Sequence, residues 1–456
     1  MNGLRDRVRR LLGLEADELL PALVAALFFF AVLTALGAVR PAREALGVQR
    51  GIDSVRWLFV GTALVTLVVS PIFGWLVSRF RRMAFIAFTY LFFAASLCVF
   101  YALLRFAPQS IGQTSGQVFY VWFSVFNLFA TMVFWALMAD RFTLEQSKRL
   151  FPPIAAGGTV GAIAGPSLAA LLAGPLGTSG LLLVGAAFLL LAIVAALGMS
   201  RGAARADAAP IEGAAPSVVA VGDAGTVIGG SAWAGLKSVA CSRYLLGIAA
   251  YMVLLAVIST FLYFTRLQMV AALGPGTDMR AAVFARVDVI TQTATLVLQL
   301  LVAGRVMKRI GVSMTLALLP ATVMLGFVGL AIVGSLAALV AFEATFRAVQ
   351  RAIMRPARET LFTVVAREDK YKAKAVIDTF GYRAGDVVGA WVEGLVKLLG
   401  PGLVALATVA VPLAVGWGAL GLWLGARQRA IAAGVGNPAN AGHHVPIDPI
   451  GGEAGR

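Results

Sequence analysis

The chain has 456 residues, 60% of them hydrophobic and only 13% charged, with a mean hydropathy of +0.87. Such proportions exclude an ordinary soluble enzyme and describe a polytopic membrane protein. The net charge of +16, from 38 Lys and Arg against 22 Asp and Glu, does not call for nucleic acid, because much of such an excess in a membrane chain is an orientation signal.

The first apolar run starts at Leu19, after Arg5, Arg7, Arg9 and Arg10. It is too long for the apolar region of a signal peptide and reads as a retained first span. Twelve apolar runs of bilayer-crossing length follow one another, near 19–39, 57–77, 83–104, 118–139, 154–174, 180–199, 244–264, 284–304, 313–332, 335–355, 376–398 and 402–425. Spans 9 and 10 are joined tightly at Gly334-Ser335. The predicted fold is therefore an all-α polytopic membrane protein, about twelve transmembrane helices in two six-helix halves.

Loop charges orient the map. With the N-terminus in the cytoplasm, the inside segments hold Arg79, Arg81 and Arg82, then Arg141, Lys148 and Arg149, then Arg201, Arg205, Lys237 and Arg243. Later inside segments hold Arg305, Lys308 and Arg309, then Arg367, Lys370, Lys372 and Lys374, and finally Arg427 and Arg429. The outside segments are poor in Lys and Arg, as the positive-inside rule requires. Two depart from it: Arg40, Arg43, Arg50 and Arg56 after span 1, and Arg266, Arg280 and Arg286 after span 7. Two explanations stand open, binding of an anion or pairing with Glu44, Asp53, Asp278 and Asp288. Both termini are expected in the cytoplasm of a cell whose inner membrane takes all-helical proteins, as in bacteria.

Between residues 200 and 240 the composition shifts to Ala, Gly and Pro without an amphipathic period, which reads as a flexible cytoplasmic linker. The predicted domains are a six-helix half at 1–199, that linker at 200–240, a second six-helix half at 241–428 and a disordered cytoplasmic tail at 429–456.

Cys98 and Cys241 fall in or beside apolar runs and give no disulfide framework, and His443 and His444 lie in the tail. No metal site, cofactor or His-based catalytic group is expected within the spans. Gly157-Gly158 lacks the Lys and Ser/Thr of a phosphate-cradling loop. The chain is thus expected to be neither an enzyme nor an ATP-hydrolysing pump.

The most distinctive stretch is FEATFRAVQRAIMRPARET at 342–360, which spaces Glu343, Arg347, Arg351 and Arg355 four residues apart. On an α-helix that spacing stacks them on one face. Charge at membrane depth is costly, so the stripe is expected to face a protein interior or water-filled cavity as part of a cationic path for an anion. A juxtamembrane basic patch is the alternative. The stripe runs into Arg355, Pro356, Ala357, Arg358 and Glu359, and the same five letters recur as Arg40, Pro41, Ala42, Arg43 and Glu44 at the end of span 1.

Span 11 carries Asp378, Arg383 and Asp386, where Arg383 and Asp386 either neutralise each other at i, i+3 or serve gating. Asp288 with Thr291, Gln292 and Thr295 makes a polar stripe on span 8, fit for a coupling ion or a helix contact. Tyr120, Trp122 and Phe126 on span 4 read as core or anchor aromatics, with stacking on a base as the second option. Gly157, Gly158, Gly161 and Gly165, and again Gly381, Gly385 and Gly389, read as close helix contacts.

Residues 74–82, from Gly74 through Ser78 and Arg79 to Arg82, and residues 304–311 after span 8 resemble the loop signature of the major facilitator superfamily. Three further segments, 40–46, 134–152 and 355–359 with 374–378, resemble the ATP/ADP translocases, the nucleotide exchange transporters of plastids and intracellular bacteria. This resemblance covers most of the membrane part and places Arg43 where the family has a substrate-handling lysine. Where the family has functional carboxylates on spans 4 and 7 this chain has Phe123 and Leu262, and near the functional lysine of span 11 it has Asp386.

The resemblance implies a secondary transporter working by alternating access about a midplane site, moving a nucleotide by ATP/ADP exchange or a related phosphorylated anion. Arg40, Arg43, Glu44, Arg347, Arg351, Arg355 and Arg358 would bind the substrate. Glu343, Glu359, Asp378, Arg383, Asp386 and Asp288 would gate or couple. A transporter of another organic solute, proton-coupled or not, and a non-transporting membrane scaffold are the alternatives. The expected partners are a small anionic solute and the lipid bilayer.

Overall fold

The computed structural model describes residues 18–79, 82–142, 144–206, 239–274, 276–365, 373, 376–400 and 402–435. The predicted linker at 200–240 lies largely outside these residues, and the tail beyond 435 wholly so. So do Arg5 to Arg10, Lys374 and most side chains of the two signature loops at 74–82 and 304–311.

The described residues are helical almost throughout. With no water available in hydrocarbon, helices satisfy every backbone donor and acceptor within one segment. In order they are α1 (Leu19–Gly47), α2 (Ile52–Arg79), α3 (Arg82–Phe106) and α4 (Gln109–Arg141). The stretch Leu144–Ala206 turns at Gly177, giving α5 (144–176) and α6 (178–206). Then come α7 (Arg243–Ala271) and the stretch Thr277–Val333, which turns at Gly311 into α8 (277–310) and α9 (312–333). Next are α10 (Leu336–Val349 and, after a π turn at Gln350–Met354, Arg355–Leu361), α11 (Tyr382–Leu399, entered by a π turn at Ile377–Gly381) and α12 (Leu403–Val435).

Both interior turns have φ of 71° and ψ of 171°, a left-handed conformation that glycine adopts without steric cost. The α9–α10 junction is sharper still. Gly334 has φ 63°, and the Ser335 hydroxyl accepts a bond from the Ala338 amide at 3.2 Å, an N-cap for α10. The close joint at Gly334-Ser335 thus holds two helices rather than one.

Among the described residues, eight helical stretches are long and apolar enough to cross a bilayer. One of them, Pro153–Met199, contains the turn at Gly177 and so supplies two crossings. The predicted spans outside that set are 8, 10 and 11, and each carries charged side chains that bear on the site. The twelve predicted runs and the twelve described helices coincide in order.

The described residues cluster into two compact units, one drawn from Met1–Ser217 and Val270–Gln292, the other from Val218–Met269 and Thr293–Arg456. In the first unit α1 and α5 pack backbone to backbone. A Cβ added at Gly157 would sit 2.6 Å from the Ala26 carbonyl oxygen, at Gly161 2.4 Å from that of Phe30, and at Gly165 2.6 Å from that of Thr34. Small residues four apart permit that approach. Phe28, Phe29 and Phe134 fill the rest, with the Phe29 and Phe134 rings stacked at 4.1 Å. The second unit repeats the device between α7 and α11. A Cβ at Gly385 would meet the Val253 carbonyl at 2.8 Å, and one at Gly389 the Val257 carbonyl at 3.0 Å. Its core gathers Tyr251, Phe261, Phe327, Phe342 and Trp417, and the Tyr251 hydroxyl donates to the Leu316 carbonyl at 2.8 Å.

The C-terminal end of α10 is tied down by two neighbours. The Tyr244 hydroxyl of α7 donates to the Leu361 carbonyl at 2.8 Å, and the Gln428 amide of α12 donates to the Thr360 carbonyl at 2.7 Å. These bonds satisfy carbonyls that a terminating helix leaves without intrahelical partners.

Replacing Gly165 with Leu is expected to force α1 and α5 apart and destabilise the fold by about 1–3 kcal/mol or more. Gly329→Ala, at a position where an added Cβ meets nothing within 4 Å, should leave stability unchanged. Thermal unfolding of the detergent-solubilised protein measures both, with a lowered midpoint for the first variant only.

Candidate functional site

Charged side chains gather inside each unit, and each gathering begins with a helix longer than its apolar run. In the first unit α1 continues through Pro41 to Gly47. Arg40, Arg43 and Glu44 therefore sit on its last turns rather than in a loop. Glu44 is fully buried and accepts from the Arg43 guanidinium at 2.9 Å. That guanidinium lies over the Tyr120 ring of α4, 3.7 Å from its centroid, and 5.7 Å from the Phe123 centroid. It also donates to the Tyr120 carbonyl at 3.4 Å and to the Ser124 hydroxyl at 3.5 Å. The planar, weakly hydrated guanidinium suits such stacking in a way a lysine would not.

Arg40 lies 3.8 Å from Asp288 of α8, a carboxylate almost fully buried, as is Thr291 on the same helix. Arg56 pairs with Asp53, and Arg280 donates to the Gly274 and Ala271 carbonyls at 2.8 and 3.2 Å. Arg40, Arg43 and Arg56 thus each have a carboxylate partner, while Arg280 closes the end of α7.

In the second unit α7 likewise outruns its predicted limit, and Arg266 stands inside it with none of its side chain exposed. It is not a loop residue. Its guanidinium lies 3.3 Å from Oε1 of Glu343 on α10 and 5.7 Å from the centroid of the Tyr263 ring. Arg347, one turn beyond Glu343, donates to the same Oε1. Two arginines from two helices therefore share one buried carboxylate. Hydrocarbon makes an isolated charge costly, so a buried charge survives where opposite charges and donors converge on it.

The four-residue stripe does not continue on one face. The π turn at Gln350–Met354 inserts an extra residue per turn, and the side chains beyond it fall behind the α-helical register. Glu343 is buried, Arg347 and Arg351 are half-buried, and Arg355 is exposed. Past the bulge Arg358 is buried again. It reaches Asp378 on the π turn of α11 at 3.0 Å, Glu359 at 2.5 Å and the Met252 sulfur at 3.4 Å. Two carboxylates thus engage Arg358, and one of them, Asp378, joins the end of α10 to the start of α11. On α11, Arg383 and Asp386 pair with each other at 3.3 Å.

The aromatics of α4 take the core role that the sequence favours for them. Tyr120 is buried under Arg43, so its face is taken by a cation. Trp122 packs edge-on to Phe93 and Phe100. Phe123 and Leu262 are both buried. Sequence reasoning passed over Glu393, a buried carboxylate on α11 that accepts from the Gln268 amide at 2.5 Å and lies 3.6 Å from Lys397. Its signal was present, an acid two turns after Asp386 on the same face of α11 and four residues before a lysine. Among the described residues no cluster of His, Cys, Asp and Glu is arranged to hold a metal ion.

No family model matches the chain, and no curated protein matches it. Solved structures do. The nucleoside transporter NupG, in a point-mutant form, superposes with a TM-score of 0.58 at 13% identity, covering 90% of this chain and 99% of that one. A bacterial homolog of the human lysosomal transporter Spinster, inward-facing and unoccupied, gives a TM-score of 0.55 at 12% identity, covering 92% of this chain and 98% of that one. At such identities the likeness speaks for the fold alone: this chain is an all-α polytopic membrane protein with the fold of the major-facilitator-type transporters.

Proposed function

We propose that the chain is a secondary transporter that moves a nucleotide, by ATP/ADP exchange, or a related phosphorylated anion by alternating access. The observation that carries this reading is a pair of guanidiniums, the buried Arg266 and the half-buried Arg347, drawn from two helices onto one buried carboxylate. Intramembrane arginines are retained at a cost, and they mark substrate and ion paths. A guanidinium presents a fork of donors that matches phosphate oxygens two at a time. The resemblance of residues 40–46, 134–152 and 355–378 to the ATP/ADP translocases points to the same substrate class, as does the nucleoside handled by one structural neighbour.

On this reading Arg43, Arg347 and Arg351 meet the anion, with Arg40, Glu44, Arg355 and Arg358 beside them. Glu343, Glu359, Asp378, Arg383, Asp386 and Asp288 gate or couple. The protein lies in a bacterial inner membrane with both termini cytoplasmic, its two six-helix halves joined by the 200–240 linker. A second reading, a proton-coupled carrier of another organic solute, is favoured by one observation. Phe123 and Leu262 are buried apolar residues where the translocases hold carboxylates, while Asp288 and Glu393 are buried acids.

Proteoliposomes preloaded with unlabelled ADP should take up labelled ATP, and empty vesicles should not. Uptake that is absent in both, with the protein shown to be inserted, favours the second reading. Replacing Arg347 or Arg351 with Ala is expected to lower initial uptake by about tenfold or more, as loss of a charge-assisted bond requires, with insertion unchanged. A scaffold protein would tolerate both changes. Tyr120→Ala removes the platform under Arg43 and should raise the KM for ATP about threefold to tenfold, an effect read from initial rates over a range of ATP concentrations.

A further inference from the structure

The Glu343 carboxylate is used on one side only. Both guanidiniums, that of Arg266 and that of Arg347, meet Oε1. Oε2 is buried and has no hydrogen-bond partner among the described residues. Glu343 as a whole is only 3% exposed. A carboxylate oxygen in such surroundings without a donor is strongly unfavourable. The neighbouring side chains of α10 that pack inward, Phe342 and Phe346, are apolar and have nothing to donate.

We infer that Oε2 of Glu343 is an acceptor for a hydroxyl group of the transported solute. This inference rests on the anion-transport reading above and narrows it. The guanidiniums that flank Oε1 would take the anionic group, and the hydroxyl that reaches Oε2 must stand a few ångströms from that group in the same molecule. The solute is then a phosphorylated polyol, a ribonucleotide or a sugar phosphate whose free ring hydroxyl lies near its phosphate. An exocyclic amine of a nucleobase is too far from the phosphate to serve. Glu343 thereby acquires a role in specificity: it distinguishes a hydroxylated anion from the same anion lacking the hydroxyl. A site that pairs a buried acceptor with a substrate hydroxyl rejects the analogue without it, because the acceptor is then left unsatisfied.

The experiment is competition against labelled ATP uptake into ADP-loaded proteoliposomes of the full chain, with unlabelled ATP, 2′-deoxy-ATP, 3′-deoxy-ATP and 2′,3′-dideoxy-ATP as competitors. The dideoxy compound is expected to compete about tenfold or more weakly than ATP, and one of the two monodeoxy compounds should account for most of the difference. Equal competition by all four overturns the inference and leaves the transport of phosphorylated anions standing. Absence of any nucleotide uptake overturns the transport reading first, and the inference falls with it. Glu343→Gln replaces a charge-assisted bond with a neutral one, so the preference for ATP over the dideoxy compound should narrow in that variant. A purely structural Glu343 would change the uptake rate without changing that ratio. The wild-type series decides the matter even where the variant does not fold.

Discussion

Glu343, itself buried, holds the buried Arg266 and the half-buried Arg347, and this shared carboxylate ties α7 to α10. A charge in hydrocarbon has three remedies: an opposite charge, a dense set of donors or acceptors, or exclusion from the fold. This chain uses the first repeatedly. Arg43 with Glu44, Arg40 with Asp288, Arg358 with Asp378 and Arg383 with Asp386 follow the same rule. Pairs built from neighbouring positions, such as Arg43 with Glu44, keep their charge local. Pairs between helices, such as Arg266 with Glu343 and Arg358 with Asp378, fix which helices are neighbours.

The backbone answers to the same solvent. Where helices approach through glycine, as α1 does α5 and α7 does α11, side chains give way so that two fully hydrogen-bonded rods can touch. Where a helix bulges, as α10 and α11 do, the irregular turn itself carries a charged side chain, Arg351 in the first and Asp378 in the second.

The twelve helices were legible in the sequence because length and apolarity are what a bilayer selects, and those properties are local. Most of the glycine contacts were legible for the same reason, since spacing at every fourth residue needs no partner to be recognised; Gly381 is the exception, with nothing within 4 Å of an added Cβ. The site was legible only in part. Glu343 and Arg347 stood out as charges deep in an apolar run, but Arg266 lay beyond the end of its run and read as a loop residue. Hydropathy ends a span at the first charge, whereas the helix continues to Ala271 because Glu343 receives that charge. The same error shortened α1 at Arg40, where Asp288 and Glu44 are the receivers. Partners distant in sequence decide such cases, and a local pattern contains no record of them. The bulge in α10 was equally invisible, since nothing in the spacing of Glu343, Arg347, Arg351 and Arg355 marks a change of pitch.

That bulge affects how this chain compares with its relatives. A π turn is in effect a one-residue insertion into an α-helix, and one residue rotates everything downstream by about 100° around the helix axis. A relative whose tenth helix runs straight would have to be aligned to this one with a single-residue gap inside 350–354. Without the gap, Arg355, Arg358 and Glu359 would each be matched to a residue on a different face. Two proteins with the same letters after the bulge would then present different surfaces. A gain or loss of one residue there would re-aim the basic end of α10 while every contact of Glu343 stayed in place.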